Sequence, residues 1–102
     1  MSYRVTETRQ FKAEFRDAIS YIWYSLCNPI AAEALLDEYD HVRKLVAEFP
    51  ESAMPYPDGI EGEVYRAVGV KNYLAFYVIL GDTVEFRRFL YARSEFYRRL
   101  SR

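Results

Sequence analysis

Cysteine and histidine are almost absent from this sequence, which has one of each, Cys27 and His41, in 102 residues. A single cysteine excludes an intramolecular disulfide framework and a thiolate zinc site of the usual spacing. A single histidine, on a predicted helix, argues against paired-imidazole metal sites and against Ser-His or Cys-His nucleophilic catalysis. The four glycines are scattered and form no phosphate-binding loop. We therefore expect neither a metal nor a cofactor.

Long hydrophobic runs are also absent, since no stretch approaches the roughly 18 apolar residues of a membrane span. The first residues lack the basic start and apolar run of a secretory signal peptide. The composition is nevertheless 51 % hydrophobic and 18 % aromatic, which excludes a disordered chain. We expect one domain over residues 1–102, folded around one core and located in the cytoplasm.

The net charge of −1 conceals an asymmetry along the chain. Residues 1–63 have 6 basic and 12 acidic side chains, whereas residues 64–102 have 8 basic and 3 acidic ones. A basic half of this kind indicates either a nucleic-acid partner or an acidic protein partner. A solvated surface with segregated charges is the alternative.

Hydrophobic spacing predicts two helices joined by a short turn, which makes them an antiparallel hairpin. Thr8 is a candidate N-cap of the first helix, and Asn28 followed by Pro29 predicts the start of the second. The apolar face of the first helix has the residues Phe11, Phe15, Ala18, Ile22 and Leu26. That of the second has the residues Ala32, Leu35, Tyr39, Val42, Val46 and Phe49.

The remaining segments have the alternation or the continuous apolar character of strands. Pro50 is predicted to end the second helix, and residues 50–62, rich in proline and glycine, to form a loop. Strands are predicted over residues 3–8, 63–70, 73–80 and 83–91, and a short C-terminal helix over residues 95–100. The fold class is therefore α+β: an N-terminal strand, an antiparallel helical hairpin, a three-strand antiparallel meander that completes one sheet, and a short C-terminal helix.

Two segments of the chain resemble a known family of bacterial toxins. Residues 64–77, VYRAVGVKNYLAFY, resemble the second and third strands of the RelE/ParE superfamily, the toxins of type II toxin–antitoxin systems. Residues 83–96, TVEFRRFLYARSEF, resemble its last strand and the usual ending, with Ala92, Arg93 and Phe96 in the matching places. The order of elements and the length agree as well. The resemblance implies a RelE/ParE-like fold and neutralisation by a cognate antitoxin.

The superfamily divides into two modes of action. RelE-like members cleave mRNA on the ribosome, whereas ParE-like members poison DNA gyrase without being known as nucleases. RelE-like toxins usually have basic residues where this chain has Val68 and Leu74, so the resemblance is nearer to ParE-like sequences. We therefore expect growth inhibition by gyrase poisoning, with a RelE-like endoribonuclease as the alternative. A degenerate toxin that binds only its antitoxin is the third hypothesis, and a homodimer stays open.

Arginine and tyrosine side chains on the last strands and the tail are the candidate functional groups, because guanidinium groups bind phosphate or carboxylate and tyrosines stack on bases. If the chain is a nuclease, the candidate catalytic residues are Arg66, Arg88, Tyr91 and Arg93. The candidate partner-binding residues are Arg66, Arg87, Arg93, Tyr97, Arg98 and Arg99. A general base would have to be Glu63, Glu85, Glu95 or a tyrosine.

Overall fold

The computed structural model describes residues 2–56 and 62–92. Their elements, in chain order, are β1 (Arg4–Glu7), α1 (Arg9–Ser20), a π-helical turn (Tyr21–Ser25), α2 (Pro29–Glu48), β2 (Arg66–Val70), β3 (Tyr73–Leu80) and β4 (Thr83–Tyr91). The predicted α+β order is confirmed over this part of the chain. The predicted C-terminal helix, residues 95–100, lies outside the described residues.

The four strands form one sheet in the order β1-β4-β3-β2. The last three strands are an antiparallel meander, as predicted, and β1 lies parallel to β4 at the opposite edge. The turn between β3 and β4 has Gly81 at φ +60°, a conformation that glycine adopts without strain. β2 begins at Arg66 rather than at residue 63, so the predicted strand was too long at its start.

Both predicted helix starts are confirmed by their caps. The Thr8 hydroxyl accepts a hydrogen bond from the Phe11 N–H at 3.1 Å, and it donates to the Arg87 carbonyl of β4 at 3.2 Å. The Asn28 side chain accepts from the Ala31 N–H at 3.1 Å, with Pro29 in the first helical turn. The caps therefore define where the hairpin begins and attach α1 to the sheet.

The first helix does not continue as an α-helix to Leu26. The Leu26 N–H donates to the Tyr21 carbonyl at 3.0 Å, five residues back, which is the π-helical pattern. This turn rotates Leu26 away from the predicted buried face, and its side chain is 54 % exposed. At the end of the second predicted face Phe49 is 59 % exposed, because α2 ends at Glu48. The predicted burial of Leu26 and Phe49 was therefore wrong.

The core lies on both faces of the sheet. The larger core packs the hairpin against the sheet, around Phe11, Leu35 and Tyr39 from the helices and Tyr77 and Phe86 from the strands. A smaller core covers the far face of the sheet, away from the helices, with the residues Tyr65, Phe76, Val78 and Leu90. The prediction that β3 is covered on both faces is thus confirmed. Neither helix in the described residues is long and apolar enough to cross a bilayer.

Candidate functional site

Arg66, at the start of the edge strand β2, donates its side-chain hydrogen bonds to the loop that follows α2. Its Nη1 donates to the carbonyl of Glu51 at 3.2 Å and to the carbonyl of Ala53. Beside it the Tyr77 hydroxyl, fully buried, donates to the Pro50 carbonyl at 2.6 Å. Burial raises the pKa of Tyr77, and the Arg66 charge lowers it in part. Arg66 therefore anchors the loop to the sheet.

Arg88 is engaged at the other edge of the meander, where α1 passes β4. Its Nη2 lies 2.7 Å from Oε2 of Glu14, and its Nε lies 3.1 Å from both carboxylate oxygens. Oε1 of Glu14 also accepts the Phe89 N–H at 2.9 Å, at a point beyond the end of β1, where β4 pairs with β3 on one side but has no strand on the other. One carboxylate therefore satisfies an arginine and a strand edge together.

Arg87 projects from an irregularity in β4. Tyr77 pairs with Phe86 and Phe76 pairs with Arg88, so Arg87 is the extra residue of a β-bulge. Its Nε donates to Oε1 of Glu85 at 2.8 Å, and its Nη1 donates to Oε2 of Glu63.

Tyr65 completes this cluster on the far face of the sheet. The Arg87 guanidinium carbon lies 5.8 Å from the centre of the Tyr65 ring, within cation–π distance, and its Nη1 lies 3.4 Å from the hydroxyl. Burial acts to lower the pKa of Arg87, but the hydrogen bonds to Tyr65, Glu63 and Glu85 raise it above its ordinary value. We call Arg87, Glu63, Glu85 and Tyr65 the Arg87 cluster.

Tyr91 lies at the end of β4, against Tyr73 of β3, with ring centres 5.4 Å apart and an edge-on geometry. Both tyrosines line a cavity of about 580 Å³ between the sheet and the end of the hairpin. The other lining residues are Tyr21, Ile22, Leu26, Asn28, Ala31 and Asn72. The cavity wall is therefore aromatic and apolar, with the two asparagines as its amide groups.

The candidate catalytic residues within the described part of the chain do not meet. Arg66 lies opposite Tyr77 of β3, whereas Tyr91 lies opposite Tyr73 of the same strand. Tyr73 and Tyr77 are four residues apart along β3, a separation on the order of 13 Å. Arg88 is turned to Glu14 at the edge of β4. The remaining candidates, Arg93, Tyr97, Arg98 and Arg99, lie outside the described residues.

An exposed apolar patch at the end of the hairpin was not predicted. Tyr24 is 74 % exposed and Ile30 is 81 % exposed, although both are large and apolar. We define the hairpin tip by five such side chains, Tyr21, Trp23, Tyr24, Leu26 and Ile30. The sequence does hold a signal, because residues 18–32 contain no charged side chain. The helical spacing instead assigned Leu26 to the core, so the uncharged stretch was interpreted as a buried helix face rather than as an exposed patch.

No metal site is apparent in the part of the chain that the structure describes, where no three carboxylate, imidazole or thiol side chains come together. Glu63 and Glu85, considered from the sequence as general bases, instead neutralise Arg87. Glu14 was not predicted, because it is 74 residues from Arg88 in the chain.

The chain is similar to known proteins in its family sequence pattern and in its fold. Residues 5–96 match the model of the family described as the ParE toxin of the type II toxin–antitoxin system parDE. A comparison with curated protein sequences gives no significant match.

Two solved structures are similar in fold. A chain of the chromosomal ParDE toxin–antitoxin system from P. aeruginosa aligns with a TM-score of 0.68 and 17 % identity, over 88 % of this chain and 96 % of that one. A chain of the E. coli DinJ–YafQ toxin–antitoxin complex aligns with a TM-score of 0.61 and 11 % identity, over 94 % of this chain and 99 % of that one. At these identities the two likenesses show the fold alone.

Proposed function

Because the chain belongs to the ParE toxin family of type II toxin–antitoxin systems, we propose that it stops growth by binding DNA gyrase rather than by cleaving RNA, and that a cognate antitoxin neutralises it. In this proposal the chain performs no chemistry of its own. Its contact surface includes the hairpin tip and Arg93.

The observation that carries the proposal is that the three arginines of the sheet strands are already paired within the fold. A nuclease without a histidine on its strands needs open guanidinium groups, directed to one point, to stabilise the charge on a phosphorane. Arg66 donates to loop carbonyls, Arg87 is held between two carboxylates, and Arg88 is paired with Glu14. These three positive charges are committed within the fold, in three different surroundings.

Two further positions support the same proposal. Val68 and Leu74 stand where a RelE-like nuclease would have basic residues, and both pack as half-buried apolar side chains. Val68 contacts the larger core, and Leu74 contacts the smaller core on the far face. Because both side chains contribute to packing, a basic residue at either position would lose apolar contacts within the fold.

The hairpin tip supports binding to a protein. Tyrosine and tryptophan are enriched in the centres of protein interfaces, where their rings lose water and their polar ends find partners. The tip presents Tyr21, Trp23 and Tyr24 in this way, within residues 18–32, which contain no charged side chain. A polyanionic nucleic acid would find no cation in this stretch, whereas an apolar protein surface would be complementary.

The proposal is tested by expressing the chain alone in a bacterium and pulse-labelling DNA and protein synthesis in parallel. We expect DNA synthesis to stop first, and the purified chain to inhibit supercoiling of relaxed plasmid by DNA gyrase. Tyr24→Ser should weaken this inhibition at least tenfold, as expected of an interface aromatic. Met54→Ser is the matched control, because Met54 is 81 % exposed but lies in the loop beside Arg66, far from the tip.

The RelE-like alternative predicts a different result in the same experiment. Protein synthesis would stop first, mRNA would be cut on ribosomes, and Arg66→Ala and Arg93→Ala would each abolish cutting. That outcome would refute gyrase binding. Unchanged growth would instead indicate a degenerate toxin.

A further inference from the structure

The hairpin tip adjoins the cavity between the sheet and the end of the hairpin. Tyr21 and Leu26 belong to both, because they are exposed tip residues that also line the cavity. Ile30 follows closely, since it lies in the sequence between Asn28 and Ala31, which line the cavity as well. The tip and the cavity therefore form one continuous surface, with the exposed Ile30 side chain at the rim of an apolar hollow.

The exposed apolar area of this surface is large for a small domain. An aromatic side chain offers about 150–250 Å², so at their exposed fractions the five tip side chains present on the order of 500 Å². The largest apolar patch of a monomer typically measures about 300–600 Å² and is often functional. Two such patches in contact would bury on the order of 1,000 Å², which is the lower limit of a specific interface. The area is therefore sufficient for a reversible dimer with a Kd in the micromolar range.

The same surface has no charge that would repel a second copy of itself. Residues 18–32 contain no charged side chain, and the sheet adds only asparagine and tyrosine to the cavity wall, which are neutral near pH 7. In a two-fold dimer the same patch faces itself, so a charge at its centre would meet its like. An uncharged apolar patch avoids this repulsion and is complementary to its own copy.

Charged side chains of both signs flank the surface. Asp17 and Glu33 are the next charged residues along the two helices, and Lys71 lies in the turn between β2 and β3, directly before Asn72 of the cavity wall. All three side chains are exposed. The margin therefore holds both acidic and basic groups rather than a charge of one sign, and it does not oppose self-association.

We propose that two copies of this chain associate through their hairpin tips in a two-fold dimer, with Ile30 of each copy in the cavity of the other. Such an interface is isologous, so its contacts are repeated by symmetry and the assembly closes at two copies. The dimer covers the surface that the proposed function assigns to gyrase, which leaves only the monomer active. This consequence rests on the proposed function, whereas the self-association does not.

The test is sedimentation velocity of the purified full-length chain over the micromolar range, with folding checked by thermal melting. The wild-type chain should change from monomer to dimer as its concentration rises. Ile30→Ser and Tyr24→Ser should each raise the Kd of the dimer at least tenfold, as expected of large side chains in the centre of an interface. Ile30→Leu should retain most of the association, because it preserves the apolar volume. Met54→Ser is again the matched control and should leave the Kd unchanged.

Cys27 gives an independent measure of the geometry. It is the only cysteine in the sequence, and it is exposed in the connection between the π-helical turn and α2. A dimer through the tips brings the Cys27 thiols of the two copies together. A short bismaleimide should therefore join two wild-type chains and fail to join two Ile30→Ser chains. A dimer that sediments as such but is not joined would have another interface, which would refute the proposal.

Two further outcomes would overturn the proposal. A Kd that is equal in the wild-type chain and in Ile30→Ser would exclude the tip as the interface. A wild-type chain that stays monomeric, but dimerises after Phe96→Ser, would identify residues 93–102 of the same chain as the occupant instead. Gyrase inhibition is scored separately. A chain that dimerises through its tip without inhibiting gyrase would overturn the proposed function and leave the self-association intact.

Discussion

Replacement of Glu14 by alanine should be among the most damaging single changes at a polar residue of this fold. The Glu14 carboxylate pairs with Arg88 at 2.7 Å and accepts the Phe89 N–H at 2.9 Å. The side chains of Arg88 and Glu14 are only 14 % and 21 % exposed. The alanine variant would remove a charge partner and an edge acceptor in one step.

The magnitude follows from this burial. Removing one partner of a buried ion pair costs roughly 3–5 kcal/mol, and partial exposure of both groups reduces that figure. We therefore expect the free energy of unfolding to fall by about 2–3 kcal/mol. For a domain near this size about 1 kcal/mol lowers Tm by about 4–8 °C, so the loss should exceed about 8 °C. Glu14→Gln should lose less, because its amide oxygen can still accept the Phe89 N–H.

Thermal and urea unfolding of purified chains measure the effect. Asp40→Ala is the matched control, because Asp40 also pairs with a cation, Lys44 at 3.0 Å, but on the exposed side of α2. The side chains of Lys44 and Asp40 are 77 % and 62 % exposed, so the control should lose about 0.5 kcal/mol or less. Equal losses in Glu14→Ala and Asp40→Ala would show that Glu14 does not join α1 to β4.

Three other predictions concern the same fold. Tyr77→Phe should lower the free energy of unfolding by about 1–2 kcal/mol in urea titrations, because the Pro50 carbonyl loses its donor in a buried place; an unchanged midpoint would contradict this. Asn28→Ala should cost about 1 kcal/mol through the lost cap, whereas Asn28→Ser should retain most of it. Burial raises the pKa of Tyr39, Tyr73 and Tyr77, so the unfolded chain releases these protons first. Stability should therefore fall as pH rises above about 10, and Tm values at pH 8 and pH 11 check the sign.

Local signals explain why most of the fold was predictable from the sequence. Thr8, Asn28 and Pro29 act within one helical turn, so their effect is visible in a short stretch of sequence. The bounds of β3 and β4 follow in the same way, from apolar runs interrupted by Gly81 and its neighbour. The start of β2 was misplaced because residues 63–65 also alternate, although the ladder with β3 begins only at Arg66 and the Tyr65 carbonyl instead accepts the Tyr56 N–H at 2.6 Å.

The π-helical turn shows the limit of periodicity. Spacing of four residues placed Leu26 on the face of Ile22, and one extra residue in the turn moves it to the surface. One extra residue in a helical turn rotates the side chains that follow it, and the hydrophobic pattern alone does not reveal such a turn. The exposure of Leu26 follows from this departure, whereas the other four side chains of the hairpin tip never belonged to a predicted buried face.

The partners of the arginines were beyond sequence reasoning because they depend on tertiary contacts. Glu14 and Arg88 meet only because α1 packs beside the end of β4, and Glu63 meets Arg87 only because β4 has a bulge. The positive balance of residues 64–102 is therefore not the charge that a partner meets. Of the 8 basic residues there, Arg66, Arg87 and Arg88 are committed within the fold, and 4 lie beyond residue 92. The eighth basic residue, Lys71, is exposed in the turn between β2 and β3. Within this half of the chain, an acidic partner must therefore contact Lys71 or the last ten residues, and Lys71→Ala and an Arg98→Ala, Arg99→Ala double variant test these two possibilities separately.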